Sequence, residues 1–145
     1  MKSRNVPNLE IPHRQGTRNA ALSSARVLMG LAAAGALAAA IMSIQIVRDA
    51  EPGTLMVEIW RLAGLVLFSG LFALLAYRPV HYAGVWELVI VNKLALAAVA
   101  LTYASDADGA AGVAVVDGIL TGVLLVAYLL SRAWRAWSCV TPVGS

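Results

Sequence analysis

Four uninterrupted apolar stretches, each about as long as a bilayer is thick, restrict what this chain can fold into. They run from about Leu22 to Val47, Leu55 to Tyr77, Tyr82 to Ala104 and Ala110 to Ser131. A helix rises about 1.5 Å per residue and the hydrocarbon core is about 30 Å thick, so ~20 residues suffice to cross. Each stretch reaches that length. Each is continuous rather than alternating, and an open sheet leaves edge amides and carbonyls unsatisfied in lipid, so the stretches predict helices rather than strands. Composition agrees. The chain is 60% hydrophobic and 13% charged, whereas a soluble globular domain carries about 25% charged residues.

The first stretch could be mistaken for a cleaved signal. It is free of charge from Val27 to Val47, which exceeds a signal core of roughly 7–15 residues, and further spans follow it. It reads as a retained first helix. Residues 1–21 (MKSRNVPNLEIPHRQGTRNAA) are polar, contain Pro7, Pro12 and Gly16 and lack a helical apolar stripe. They predict a flexible cytoplasmic tail. The expected organisation is thus that tail, a transmembrane domain over 22–132 and a short cytoplasmic tail over 133–145. The fold class is all-α, a polytopic transmembrane four-helix bundle.

Charge predicts its orientation. Arg48-Asp49-Ala50-Glu51-Pro52-Gly53, Arg78-Pro79-Val80-His81 and Ser105-Asp106-Ala107-Asp108-Gly109 are short connections, and short loops make neighbouring helices antiparallel, here up-down-up-down. Lys2, Arg4, Arg14, Arg18 and Arg26 precede the first span, Arg78 lies in the second loop, and Arg132 and Arg135 follow the last span. The first and third loops instead hold Asp49, Glu51, Asp106 and Asp108 against Arg48. The positive-inside rule then predicts both termini in the cytoplasm, in the cytoplasmic membrane. Trp60 and Tyr103 near one set of ends, with Tyr77, Tyr82, Trp86, Trp134 and Trp137 near the other, read as aromatic belts. The net charge of +3 is accounted for by these topology determinants, so no nucleic-acid partner is expected.

Lipid tails are as apolar as leucine, so helices in a bilayer associate through small residues. The first helix offers Gly30, Ala34, Gly35, Ala38 and Ala39. The fourth repeats Ala110, Ala114, Gly118 and Gly122, with Asp117 and Thr121 alongside. This small and polar face is expected to pack inward, with Val115, Val116, Ile119, Val123, Val126 and Leu130 toward lipid. The Gly118/Gly122 pair also fits contact with a second copy or a larger membrane complex.

Ionisable groups at the centre of a span cost about 2.5–3.5 kcal/mol on insertion scales, so each needs a partner or a use. Glu58, Arg61, Lys93 and Asp117 gather toward the outer half of the bundle, with Gln45 and Arg48 ending the first helix at that side. Two readings compete. In one they form a polar binding pocket in which Arg61 and Lys93 face an anion, a quinone or a lipid head group, or relay protons. In the other, Arg61–Asp117 and Glu58–Lys93 are ion pairs that fix helix register. Lys93 is expected to snorkel outward past Ala97, Ala100 and Ala104. Glu87 is expected to snorkel or to pair with His81 or Arg78. Asn92 reads as an interhelical hydrogen-bonding residue.

No catalytic motif, metal site or cofactor is expected. Glycine-rich phosphate loops, HExxH and GxSxG are absent from the sequence. Cys139 is the sole cysteine, which rules out an internal disulfide or a CxxC pair. His13 and His81 lie in the tail and a loop, so the bundle offers no paired haem ligands.

The run Arg61-Leu62-Ala63-Gly64-Leu65, leading to Ala76-Tyr77-Arg78-Pro79, resembles the DoxX-like small bacterial membrane proteins over roughly 22–132. That resemblance implies a four-helix membrane protein, sometimes tied to redox or sulfur metabolism, and assigns no functional residue. The acidic residue that small multidrug transporters carry in their first helix has no counterpart here. The expected function is therefore a non-enzymatic accessory or interaction protein of the membrane. The rival is a transporter or channel subunit, or a redox-linked accessory, using the outer polar cluster.

Overall fold

The computed structural model describes residues 13–82, 84–107 and 109–139. Four helices account for most of them: α1 (His13–Arg48), α2 (Leu55–Tyr77), α3 (Val85–Thr102) and α4 (Ala110–Ser131), followed by a short 3-10 helix, η1 (Ala133–Cys139). All four α-helices are long and apolar enough to cross a membrane. The bounds of α2 and α4 coincide with the expected ones. Residues 1–12, Ala83, Asp108 and residues 140–145 lie outside the described residues, and with them most of the expected N-terminal tail and the end of the C-terminal one.

Helix α1 starts nine residues before the expected Leu22. Its 36 residues make a rod of about 54 Å, well beyond the ~30 Å hydrocarbon core. Extending a helix that is already nucleated adds one hydrogen bond per residue fixed, so the polar turns need no apolar stripe of their own to continue it. Ala25 is the first buried residue of α1 among those described. Helix α3 is shorter than expected because Gly84 starts it in a left-handed conformation, φ 86°, which glycine adopts without the Cβ clash.

Helix α1 packs along α2 and also touches α4, while α3 packs on α4. Side chains that meet across a hairpin lie at similar distances from the connecting loop. Ser69 Oγ in α2 donates to the Ala33 carbonyl of α1 at 3.1 Å, and α3 and α4 are tied at two further levels described below. The core is formed by Ala25, Met29, Phe72, Leu75, Trp86, Val89, Leu124 and Ala127. Outside it, Leu31, Met42, Trp60, Leu67, Leu88, Ile119 and Leu129 are exposed. An apolar exterior on this scale matches a lipid surround, not water.

The inward face of α4 differs from the expected one. Ala114, Asp117, Thr121, Leu124, Ala127 and Ser131 are buried, whereas Gly118 and Gly122 are exposed, and a Cβ at either would meet nothing within 4 Å. A helix turns about 100° per residue, so the face that buries Asp117 and Thr121 rotates their glycine neighbours outward. Val115, Val116, Ile119 and Val126 face outward as expected. Gly30 and Gly35 of α1 are likewise exposed, and the α1 seam runs through Ala25, Met29, Ala33, Ala40 and Ser43.

Leu124 is fully buried, and its replacement by Ala removes packing without the usual gain of water exposure. Leu124→Ala is expected to destabilise by less than the roughly 2–5 kcal/mol of a soluble core, read by reversible unfolding in mixed micelles. A larger cost would mean that lipid does not surround this helix.

A buried lysine–aspartate pair and two flanking clusters

Lys93 sits at the middle of α3, about 13.5 Å from its Thr102 end, and Asp117 lies about 10.5 Å along α4 from Ala110, by helical rise. They face one another: Lys93 Nζ donates to Asp117 Oδ1 at 2.8 Å, across 24 residues of sequence. Their side chains are only 10% and 9% accessible. The lysine ammonium also lies 4.2 Å from the centre of the Phe68 ring of α2. The negative face of that ring attracts a cation, an effect worth roughly 2 kcal/mol when desolvated. Three helices thus converge on one charge. Thr121 does not join the pair, because its hydroxyl donates to the Asp117 backbone carbonyl one turn back, at 2.7 Å.

Glu58 and Arg61 form a second ion pair within α2, three residues apart. The Arg61 side chain is half exposed at 49% and that of Glu58 is at 18%. The expected pairs Arg61–Asp117 and Glu58–Lys93 do not form. Lys93 does not snorkel outward either, because a carboxylate across the α3–α4 interface lies within direct reach. The four charges therefore resolve into one deep interhelical pair and one local pair nearer the helix end. Gln45, Arg48 and Asn92 are exposed and lie outside both pairs.

At the other end of the bundle, Glu87 Oε1 accepts hydrogen bonds from Tyr128 Oη at 2.8 Å and from Trp137 Nε1 at 3.0 Å. Neither His81 nor Arg78 is its partner. Arg78 instead lies over the Tyr77 ring, 5.4 Å from its centre. Trp86 is 1% exposed and donates from Nε1 to the Pro79 carbonyl at 2.8 Å, so it belongs to the core and not to an aromatic belt. Tyr128 packs between Trp86 and Trp134, with ring centres 6.0 and 5.7 Å away. Trp60, Tyr77, Tyr103, Trp134 and Trp137 remain exposed, as belt residues would.

This cluster fixes the segment after α4. Arg132 adopts a left-handed conformation, φ 52°, which ends α4 and turns the chain into η1. Ala133 and Ala136 are buried by the turn. The Trp137 ring packs beside Gly84, where a Cβ would lie 3.5 Å from it in ordinary contact. Residues 133–137 therefore pack as a cap on this end of the bundle.

Loop-centred symmetry was the signal that could have found both contacts. Lys93–Asp117 is centred on Ser105, and Glu87–Tyr128, 41 residues apart, is centred on the same loop. Trp137 lies beyond the hairpin, where that symmetry does not reach. Among the described residues, no three His, Cys, Asp or Glu side chains stand close enough to hold a metal ion.

Glu87→Leu leaves the Tyr128 hydroxyl without its acceptor, at a cost of about 1–3 kcal/mol for a buried group. Trp137→Phe removes one donor from a half-exposed position and is expected to cost about 0.5–1.5 kcal/mol. Equal losses of thermal stability in the two variants would contradict the assignment of Glu87 as the shared acceptor. Against known proteins, the chain matches no family model, no curated protein and no solved structure.

Proposed function

We propose that this chain is a four-span integral protein of the cytoplasmic membrane, up-down-up-down with both termini cytoplasmic, and that it acts as a non-enzymatic accessory or interaction protein. The orientation is supported by the exposed Arg18, Arg26, Arg78, Arg132 and Arg135 on the segments assigned to one end. Asp49, Glu51 and Asp106 belong to the other, acidic end. The observation that carries the functional reading is the Lys93–Asp117 pair. Each deep charge is neutralised by the other within hydrogen-bonding distance, which is what a structural tie between two helices requires. A transport site would instead leave one of them to bind and release a substrate ion.

The exposed Gly118 and Gly122 support contact with a second copy or a larger complex, because a partner helix could approach their backbone closely. Gly118→Leu with Gly122→Leu is expected to leave the monomer folded, since the added side chains meet nothing within the chain. Association measured by energy transfer in vesicles is expected to fall. Unchanged association would remove this face from consideration.

The rival transporter reading is tested on the same pair. Lys93→Met or Asp117→Leu alone strands a charge, and each is expected to destabilise by about 3–5 kcal/mol. The combined variant is expected to recover most of that loss and to keep whatever partner co-purifies from native membranes. A double variant that is stable but has lost a measured ion or solute flux in vesicles would establish the transporter reading instead. A reporter fused after Ser145 that is active on the far side of the membrane would overturn the orientation.

A further inference from the structure

An open groove of about 390 Å³ lies at the acidic end, lined by Arg61 of α2, Leu96, Ala100 and Tyr103 of α3, and Ala110 and Val113 of α4. Its volume falls in the range of small-molecule sites, roughly 300–1,000 Å³. Between Leu96 and Tyr103 it descends about 10 Å along α3 by helical rise, from the helix end into the apolar span. A ligand there needs a polar head at the rim and an apolar body below it.

Charge narrows the head group. Arg61 brings the groove a half-exposed guanidinium. Its contact to Glu58 is made through Nη2, and a guanidinium carries five N–H donors, enough to hold an acceptor oxygen as well. The surroundings are acidic. Glu58 pairs with Arg61, and Asp106 is exposed next to Ala107, which also lines the groove. A purely anionic head would be drawn to Arg61 and repelled by this rim. A head group with a phosphate and an ammonium satisfies both.

The geometry points to a binding site for a zwitterionic phospholipid. Its phosphate sits on Arg61, its ammonium faces the acidic rim, and an acyl chain lies against Leu96, Ala100 and Val113. Phosphate and arginine form charge-assisted hydrogen bonds that strengthen as water is excluded. The small side chains of Ala100 and Ala110 supply the room. This binding requires the helices to lie in a bilayer, as proposed above, but not the accessory role.

The test uses the full chain, delipidated in detergent and titrated with phosphatidylethanolamine or phosphatidylglycerol by native mass spectrometry. Wild type is expected to hold phosphatidylethanolamine at least tenfold more tightly than phosphatidylglycerol. Arg61→Gln and Ala100→Phe are each expected to weaken it at least tenfold, while Arg135→Gln, at the opposite end, leaves it unchanged. Circular dichroism checks that the variants remain helical. Should Ala100→Phe fail to fold, Arg61→Gln, at a half-exposed position, decides the matter alone. Equal affinity for the two lipids, or retention within twofold in Arg61→Gln, overturns the proposal. A chain that is folded and monomeric without detergent would be recognised before any lipid is added, and would overturn the bilayer reading itself.

Discussion

In a hydrocarbon surround there is no water to stabilise a stray charge, and that constraint organises the centre of this molecule. Lys93 and Asp117 offset each other's desolvation there, 2.8 Å apart. The pair does more than cancel charge. It links α3 to α4 at one definite register, since sliding either helix by a turn of about 5.4 Å would separate the partners. Through the Phe68 ring it also draws in α2, which otherwise makes little contact with α3. In water such a pair is weak grounds for stability, because apolar replacements often do as well. Its distinctive contribution here is specificity: alanine-rich helices have few bulky knobs with which to fix how they align.

The two ends of the bundle are built differently. At the basic end, aromatic rings, Glu87 and the η1 cap close the space between α3 and α4, and the backbone itself is bent at Gly84 and Arg132 to permit it. At the acidic end, the residues beyond the ion pair on the facing helices are alanines, Ala97 and Ala100 on α3 and Ala110 and Ala114 on α4. Among the described residues, aromatic rings thus fill the basic end, while the acidic end is grooved. That asymmetry follows from where side-chain volume is placed, because backbone geometry is much the same along each helix.

Much of this was legible in the sequence because lipid imposes strong rules. Span number and the bounds of α2 and α4 follow from length and apolarity, and Lys93 and Asp117 stood out as ionisable residues deep in spans. What could not be read was rotation. Whether Gly118 or Asp117 faces inward depends on about 100° of helix rotation, and both glycine packing and charge burial argued for an inward face. Burial of the charge prevailed, since an exposed glycine costs nothing in lipid and an exposed carboxylate does. Pairing was misassigned for a related reason. Helix depth matched Arg61 to Asp117, and it took the α3–α4 hairpin register to bring Lys93 there instead. The extension of α1 below Leu22 was missed because helix propagation leaves no apolar signature.

The groove and the ion pair share a cause. Ala100 lies two turns beyond Lys93 and Ala110 two turns before Asp117, so each alanine is on the same face of its helix as the charge. Small residues on these faces let α3 and α4 approach closely enough for a lysine and an aspartate to meet directly. The same lack of bulk toward Gly109 leaves a groove that no side chain among the described residues fills. Larger residues there would fill the groove and would also press the helices apart above the pair. Substitution at Ala97 or Ala114, buried between groove and pair, therefore acts on both. Substitution at Arg61, on a third helix, leaves the Lys93–Asp117 pair intact and acts on the groove and on its own partner Glu58.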